Sequence, residues 1–216
     1  DFSQFSTLEM KDLKAVGHSY LPELDKWGMN DQGSDYIYTG ANKIGFMLPN
    51  GLKEIVDFSV WQSAEDKQNV LPLFTKQEFI QSEERHSTVN FLAISLANWD
   101  DALENALGNK TDTVLIAKAD HENALQELRR FFFLLHEKGL QYPVIIQRSF
   151  PAMPDEETLQ LHAAADIGGL LIDGFGDGAM LTTDLAFQAH EEKTSKLALI
   201  KTYNSLVFGS LQAART

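Results

Sequence analysis

Apolar and polar positions change rhythm partway along the chain. Between Leu8 and Leu21 the side chains Leu8, Leu13, Val16 and Tyr20 fall close to helical spacing. The pattern predicts a short helix that Pro22 and the polar run Asn30 to Ser34 interrupt. Three segments rich in β-branched and aromatic residues follow, Tyr36 to Thr39, Ile44 to Leu48 and Glu54 to Val60, separated by Gly40-Ala41-Asn42 and Pro49-Asn50-Gly51. They read as strands of a meander or hairpin. Val70 to Phe74 reads as a further strand, which Pro72 confines to an edge or an end.

From Thr88 onward apolar strands alternate with helical patterns, as in βα units around a parallel sheet. Val89 to Ser95 is a strand, and Asn98 caps a helix over Asp100 to Leu107 that stops at Gly108. Val114 to Ala117 is the next strand. Asp120 caps a long helix carrying Leu125, Leu128, Phe132 and Leu135 and stopping at Gly139, and Phe131 to Phe133 widen its buried face. Val144 to Ile146 is a strand, Asp155 caps a helix through Ala165, and Gly169 to Ile172 is again a strand. Leu197 to Ala213 reads as a final helix with Leu199, Tyr203, Leu206, Val207, Ser210 and Leu211 in one stripe.

Four or more β segments joined by helices leave a doubly wound sheet or a TIM-like barrel. A complete eight-unit barrel takes about 250 residues. The expected class is therefore α/β, a partial or irregular TIM-barrel-like fold, with an irregular β-rich part over 1–87 and repeated βα units over 88–216 of the 216 residues.

Charge narrows the partners. The 31 acidic and 18 basic residues give a net charge of -13, a field that repels phosphate backbones and anionic lipid, so nucleic acid and membrane surfaces are disfavoured. No run approaches the roughly 20 apolar residues of a membrane span, and the start Asp1-Phe2-Ser3-Gln4 lacks the pattern of a secretory signal, so a cytoplasmic location is expected. With no cysteine, the chain supplies no disulfide, no thiolate nucleophile and no cysteine ligand to a metal.

The most pointed local feature is Leu171-Ile172-Asp173-Gly174-Phe175-Gly176-Asp177-Gly178. Glycines can let backbone N–H groups approach a phosphate at a strand's carboxyl end, but the spacing is neither a dinucleotide fingerprint nor a Walker loop. A structural turn is the better reading. Gln147-Arg148 ends the preceding strand, and Arg148 is expected to pair with Asp173 or Asp177. His18, His86, His121, His136, His162 and His190 show no i, i+4 ligand pair and no HExxH motif. Asp155-Glu156-Glu157 suits a helix N-terminus, no serine sits in a Gly-x-Ser-x-Gly elbow, and Trp27, Trp61 and Trp99 are too dispersed for a stacking platform.

Three stretches carry a resemblance: Leu140-Gln141-Tyr142-Pro143-Val144-Ile145-Ile146, then Ala165 to Gly178, and Leu211-Gln212-Ala213-Ala214-Arg215-Thr216. They resemble the central region of the long form of the 4-hydroxy-3-methylbut-2-enyl diphosphate synthase family, clearly over 88–216 and weakly over 1–87. The resemblance implies an inserted TIM-like domain, residues 1–216, between a substrate-binding barrel and a domain whose 4Fe–4S cluster is held by three cysteines and a glutamate. It implies, for the parent protein, reductive conversion of 2-C-methyl-D-erythritol 2,4-cyclodiphosphate in non-mevalonate isoprenoid (terpenoid) biosynthesis, with ferredoxin or flavodoxin as electron donor and a homodimeric assembly. None of the family's motif positions falls in this sequence, so no catalytic, cofactor-binding or metal residue is carried over, and the cluster is expected outside residues 1–216. The implied role is a non-catalytic spacer whose partners are the flanking domains, and the start at Asp1 and the uncapped end at Arg215-Thr216 read as cut boundaries. Two other readings remain open at this point. One is an independent barrel enzyme with Arg148, Asp173 and Asp177 around a divalent metal and a phosphorylated substrate. The other is an acidic module that docks a basic partner or an electron donor.

Overall fold

A computed structural model describes residues 1–108, 110–119, 123–150, 156–183 and 192–215. The first predicted helix shrinks to a 3-10 segment, Met10–Val16, because Gly17 ends it in the left-handed region at φ 85°. A Cβ at Gly17 would lie 2.7 Å from the Gly33 nitrogen, so the chain can double back closely only with glycine there. Beyond it β1 (His18–Leu21) and β2 (Lys26–Met29) pair antiparallel as a two-stranded sheet of their own. The antiparallel element of the N-terminal half is therefore at 18–29, and not at 36–60 where the turn residues pointed.

Seven strands form the main sheet: β3 (Tyr36–Gly40), β4 (Lys53–Asp57), β5 (Val70–Phe74), β6 (Asn90–Ile94), β7 (Thr113–Ala119), β8 (Val144–Phe150) and β9 (Gly178–Thr183). All neighbours are parallel and the spatial order is the chain order. Sequential order without a reversal is the winding of a βα barrel, not of a doubly wound sheet. The sheet curls into half a barrel, and the fold class is as the sequence predicts, though some assignments inside it change.

Ile44 to Leu48 is not a strand, since the Ile44 N–H donates to Glu54 Oε1 at 2.7 Å and not to a neighbouring backbone. The segment 54–60 splits: β4 ends at Asp57 and α1 (Phe58–Gln62) begins, burying Phe58 and Trp61, three residues apart, on one helical face. Pro72 lies inside the sheet, yet the ladder from β5 to β6 starts only at Leu73, so at Pro72 the strand has a partner on one side alone.

Helices α2 (Lys76–Gln81), α3 (Asp101–Leu107), α4 (Ala124–Glu137), α5 (Glu156–Ala163), α6 (Gly169–Ile172) and α7 (Lys193–Ala214) complete the units. Every helix from α1 to α7 packs into one apolar cluster with the outward side chains of β4 to β9, among them Val56, Phe74, Leu92, Leu115, Ile146 and Leu181. The described α-helices thus cover one face. The concave face carries its own core of Ile55, Leu71, Phe91 and Ile116. Curvature brings Tyr36 of β3 within 5.2 Å, ring to ring, of Phe91 on β6.

Strands β3 and β9 share no hydrogen bonds. Their seam is closed by side chains, and Tyr203 and Val207 of α7 line the small gap beside Ile37 and Leu181. Helix α7 also joins the two halves of the core. Its Leu197 and Ile200 pack on the N-terminal cluster of Phe2, Phe5 and Leu13, while Leu199, Leu206 and Leu211 pack on the main one. Asn204 donates to the Gln32 carbonyl at 2.8 Å.

The largest departure from the sequence reading is at 156–178. Gly169 to Ile172 is helical: α5 continues through a π turn, Ala164–Gly168, directly into α6. Ile167, Leu170 and Leu171 then face the main core. The glycine-rich stretch is the stop of this helix. Gly174 at φ 80° donates to the Leu171 carbonyl and Phe175 to the Leu170 carbonyl, a Schellman ending, with Phe175 stacked on Phe132 at 5.0 Å.

Candidate functional site

In a singly wound parallel sheet ligands gather at the carboxyl ends of the strands. The connections after β7, β8 and β9 include 120–122, 151–155 and 184–191, so Asp120, His121, Asp155 and His190 lie outside the described residues. On the described part of this rim, Tyr38 of β3 donates to Asp57 Oδ1 at 2.5 Å. Burial, reinforced by that hydrogen bond, pushes the Tyr38 phenol well above its usual range. Locked in this way, Tyr38 stays protonated and is a poor acid at neutral pH.

Further round the rim an open groove of about 1030 Å³ runs between α2 and the ends of β6 and β7, lined by Thr75, Lys76, Ile80, Ser95, Asn98 and Lys118. Its charged groups are mixed. Lys76 is paired with Asp100, and Thr75 and Glu78 are occupied in a reciprocal cap at the start of α2. The hydroxyl–carboxylate contacts on this part of the rim, Tyr38 with Asp57 and Thr75 with Glu78, are a locked phenol and a helix cap.

Arg148 sits in the carboxyl half of β8 and points outward beneath the helices, 5% exposed. Its Nε donates to Asp166 Oδ2 at 3.0 Å, its Nη2 lies 2.9 Å from the same oxygen, and its Nη1 donates to the Ala119 carbonyl. The expected pairing with Asp173 or Asp177 is therefore corrected: Asp166, on the π turn, is the partner. Asp173 pairs with Arg129 instead. Asp177 accepts from the Val144 N–H at 2.8 Å and donates its own N–H to the Val144 carbonyl, tying the starts of β8 and β9 together. Because 169–172 is helix and not strand, the Asp173 to Gly178 loop lies at the amino end of β9, on the rim opposite Arg148. The structure does not assemble Arg148, Asp173 and Asp177 into one site.

Of the described histidines, His18 and His86 are held by hydrogen bonds, while His136 and His162 are exposed on α4 and α5. His18, buried, is 2.9 Å from the Ser34 carbonyl through Nε2. The His86 Nδ1 accepts from the Thr88 and Val89 backbone N–H groups at 3.2 and 3.3 Å, which orients the ring. His162 lies against the Phe150 ring. Sequence reasoning missed Asp166 and the Tyr38–Asp57 pair. The signal for Asp166 was available in Gly174 followed by apolar Phe175, which marks a helix stop and places 165–172 on a helix.

A thiolate-held iron–sulfur cluster does not fit this donor set. The chain has no cysteine, and among the described residues no three His, Asp or Glu gather into a metal-holding group. Among the described residues no helix is long and apolar enough to cross a membrane.

No family model matches the chain, and no solved structure matches it significantly. Curated relatives do. A 4-hydroxy-3-methylbut-2-en-1-yl diphosphate synthase (flavodoxin) of Phocaeicola vulgatus is 35% identical over 147 residues, 68% of this chain and 23% of the relative. The protein of the same name from Parabacteroides distasonis is 30% identical over 182 residues, 84% of the chain and 27% of the relative. That of Bacteroides fragilis is 29% identical over 224 aligned positions, 100% of the chain and 33% of the relative. The chain spans about a quarter to a third of the length of these relatives. Matched along its whole length, it belongs to the 4-hydroxy-3-methylbut-2-en-1-yl diphosphate synthase family.

Proposed function

We propose that the chain is the central inserted domain of a long-form 4-hydroxy-3-methylbut-2-enyl diphosphate synthase and acts there as a spacer. It holds the substrate barrel and the cluster domain at a workable separation and contributes no reacting group. The observation that carries this reading is the match over 100% of the chain to a relative of which it makes up only 33%. The absence of cysteine and the structural use of Arg148, Asp166, Asp173 and Asp177 support it. The parent enzyme would reduce 2-C-methyl-D-erythritol 2,4-cyclodiphosphate on a 4Fe–4S cluster outside these residues, as a cytoplasmic homodimer, with the flavodoxin of its relatives' names as electron donor. The test is a full-length enzyme from which residues 1–216 are removed and the flanks rejoined. Turnover is expected to collapse while iron content is retained. Turnover that survives the deletion would overturn the spacer role.

A further inference from the structure

Strands β3 and β9 are the two edges of a singly wound parallel sheet, whereas a closed βα barrel has eight strands and no edge. The first residues of the chain run along the seam between them. The Phe2 N–H donates to the Tyr38 carbonyl at 2.6 Å. That carbonyl is on the open side of β3, because the Asp35 carbonyl takes the Lys53 N–H and successive residues of a strand turn to opposite neighbours. Asp1 lines the same gap as Tyr36 and Ile37 of β3 and Met180 and Leu181 of β9. Ser3 has moved on to Gly40, where an added Cβ would lie 2.9 Å from the Ser3 Cβ. From Asp1 to Ser3 the backbone therefore runs in the direction of β3, which is that of all seven strands.

The residues that follow have the form of a βα unit. The Phe5 N–H turns back onto the Phe2 carbonyl at 3.0 Å, near the level where β3 ends. Phe2 is buried with Ile37 of β3 and with Leu13 and Val16 of the 3-10 segment Met10–Val16. Ile37 lies on the helix-covered side, since Tyr36 and Tyr38 next to it face the concave core. Met10–Val16 thus covers Phe2 in the way that the helices cover β4 to β9. Burial also holds the α-amino group of Asp1 down to about 6, a cost that an uncharged peptide N–H at the same nitrogen does not carry.

We propose that the polypeptide immediately before Asp1 forms a further strand, ending at Phe2, that seats between β3 and β9 parallel to both and closes the barrel by backbone pairing. The proposal rests on the reading of the chain as an inserted domain of relatives of which it makes up only 23% to 33%. The occupant is fixed by continuity, since it is the stretch joined covalently to Asp1. Carried back in the register set at Phe2, the residue before Asp1 gives its N–H to the Tyr36 carbonyl and takes the Tyr38 N–H. Its side chain falls on the same side as Phe2, beside Ile37 and under Ile200 and Val207 of α7, and is therefore apolar. A strand in this place sets β3 and β9 about 9.6 Å apart, twice the usual spacing. Tyr203 and Val207, which line the gap of about 100 Å³, move outward to admit it.

The experiment uses the full-length protein with a small diazirine-bearing side chain in place of Met180, irradiated and mapped by mass spectrometry. A cross-link to the few residues just before Asp1, in a yield that dilution does not change, is expected. Hydrogen exchange of the unsubstituted protein supplies a second readout, in which the amides of those residues are as slow as those of β4. Cross-links confined to residues 1–216, cross-links to a distant part of the polypeptide, no cross-link, or fast exchange just before Asp1 would each overturn the proposal. Failure of the underlying reading looks different. A natural protein that begins at Asp1 sinks the inserted domain itself, whereas preceding residues that neither cross-link nor resist exchange sink the seam strand alone.

Discussion

Arg148 and Asp166 share a buried contact in which each is the other's only counter-charge among the described residues. Removing one partner of such a pair strands the other. Arg148→Met is expected to lose about 3–5 kcal/mol in urea unfolding, and adding Asp166→Leu to recover much of it, because two apolar side chains leave no orphan charge. A loss under about 1 kcal/mol would place the pair in effective contact with water. Glu54 makes the opposite case. Its carboxylate is 4% exposed and receives the Thr39 hydroxyl at 2.7 Å and the Ile44 N–H, yet burial outweighs both bonds and raises its pKa. A raised folded pKa means stability present at acid pH and lost as pH climbs from the unfolded pKa through the folded one. Glu54→Gln keeps an acceptor without the charge. It should match the parent protein at acid pH and unfold at higher denaturant at neutral pH, a gap that denaturant titrations at several pH values would read. Neither residue's setting was legible beforehand. Asp173 and Asp177 were the near acids only on the assumption that 169–172 is a strand, and one Glu54 partner, Ile44, comes from a loop that reads as β.

At the scale of elements, caps were legible in kind more than in place. The cap of α3 is expected at Asn98, but Leu96–Asn98 closes as a 3-10 turn and Asp100 is the cap, accepting from the Leu103 N–H at 3.0 Å. Asp100→Ala should therefore cost about 1 kcal/mol, from the lost cap and the lost Lys76 contact, while Asn98→Ala stays within about 0.5 kcal/mol. Thermal unfolding of the two variants separates them, and an equal loss would reinstate Asn98. Strands β6, β7 and β8 were read closely, because strands covered on both faces appear as unbroken apolar runs with little else to be. Gly139 was read correctly as the stop of α4, where it adopts φ 66°. The β1–β2 ribbon was not found. Its residues His18 to Met29 alternate too briefly, and its turn is built on Pro22 and a strained Asp25 in place of the usual glycine.

For the whole molecule, the partial barrel was legible from the alternation of strand and helix and from a length short of eight units. Its closure was not, because it depends on α7 and not on strand pairing. Since α7 packs on both core clusters, the N-terminal third and the βα units should open as one unit. Native-state hydrogen exchange is expected to show β3 and β9 amides exchanging through the same opening as those of β6 and β7. Earlier, independent exchange of β3 would mean that α7 is a loose strap. The π turn at Ala164–Gly168 bears on the molecule's history. It holds one residue more than the surrounding α-helical turns, on the helix that presents Asp166 to Arg148 and seats Leu170 and Leu171. The turn absorbs that residue, so loss of a single codon at Ala164 or Ala165 would leave a regular α-helix with Leu170 and Leu171 still on the core side, whereas the same loss from a regular helical turn rotates everything after it by about 100°. Length changes elsewhere on the surface are absorbed by loops. Within these five residues the helix itself carries a spare position, one that descent can insert or remove without turning the buried face away from the core.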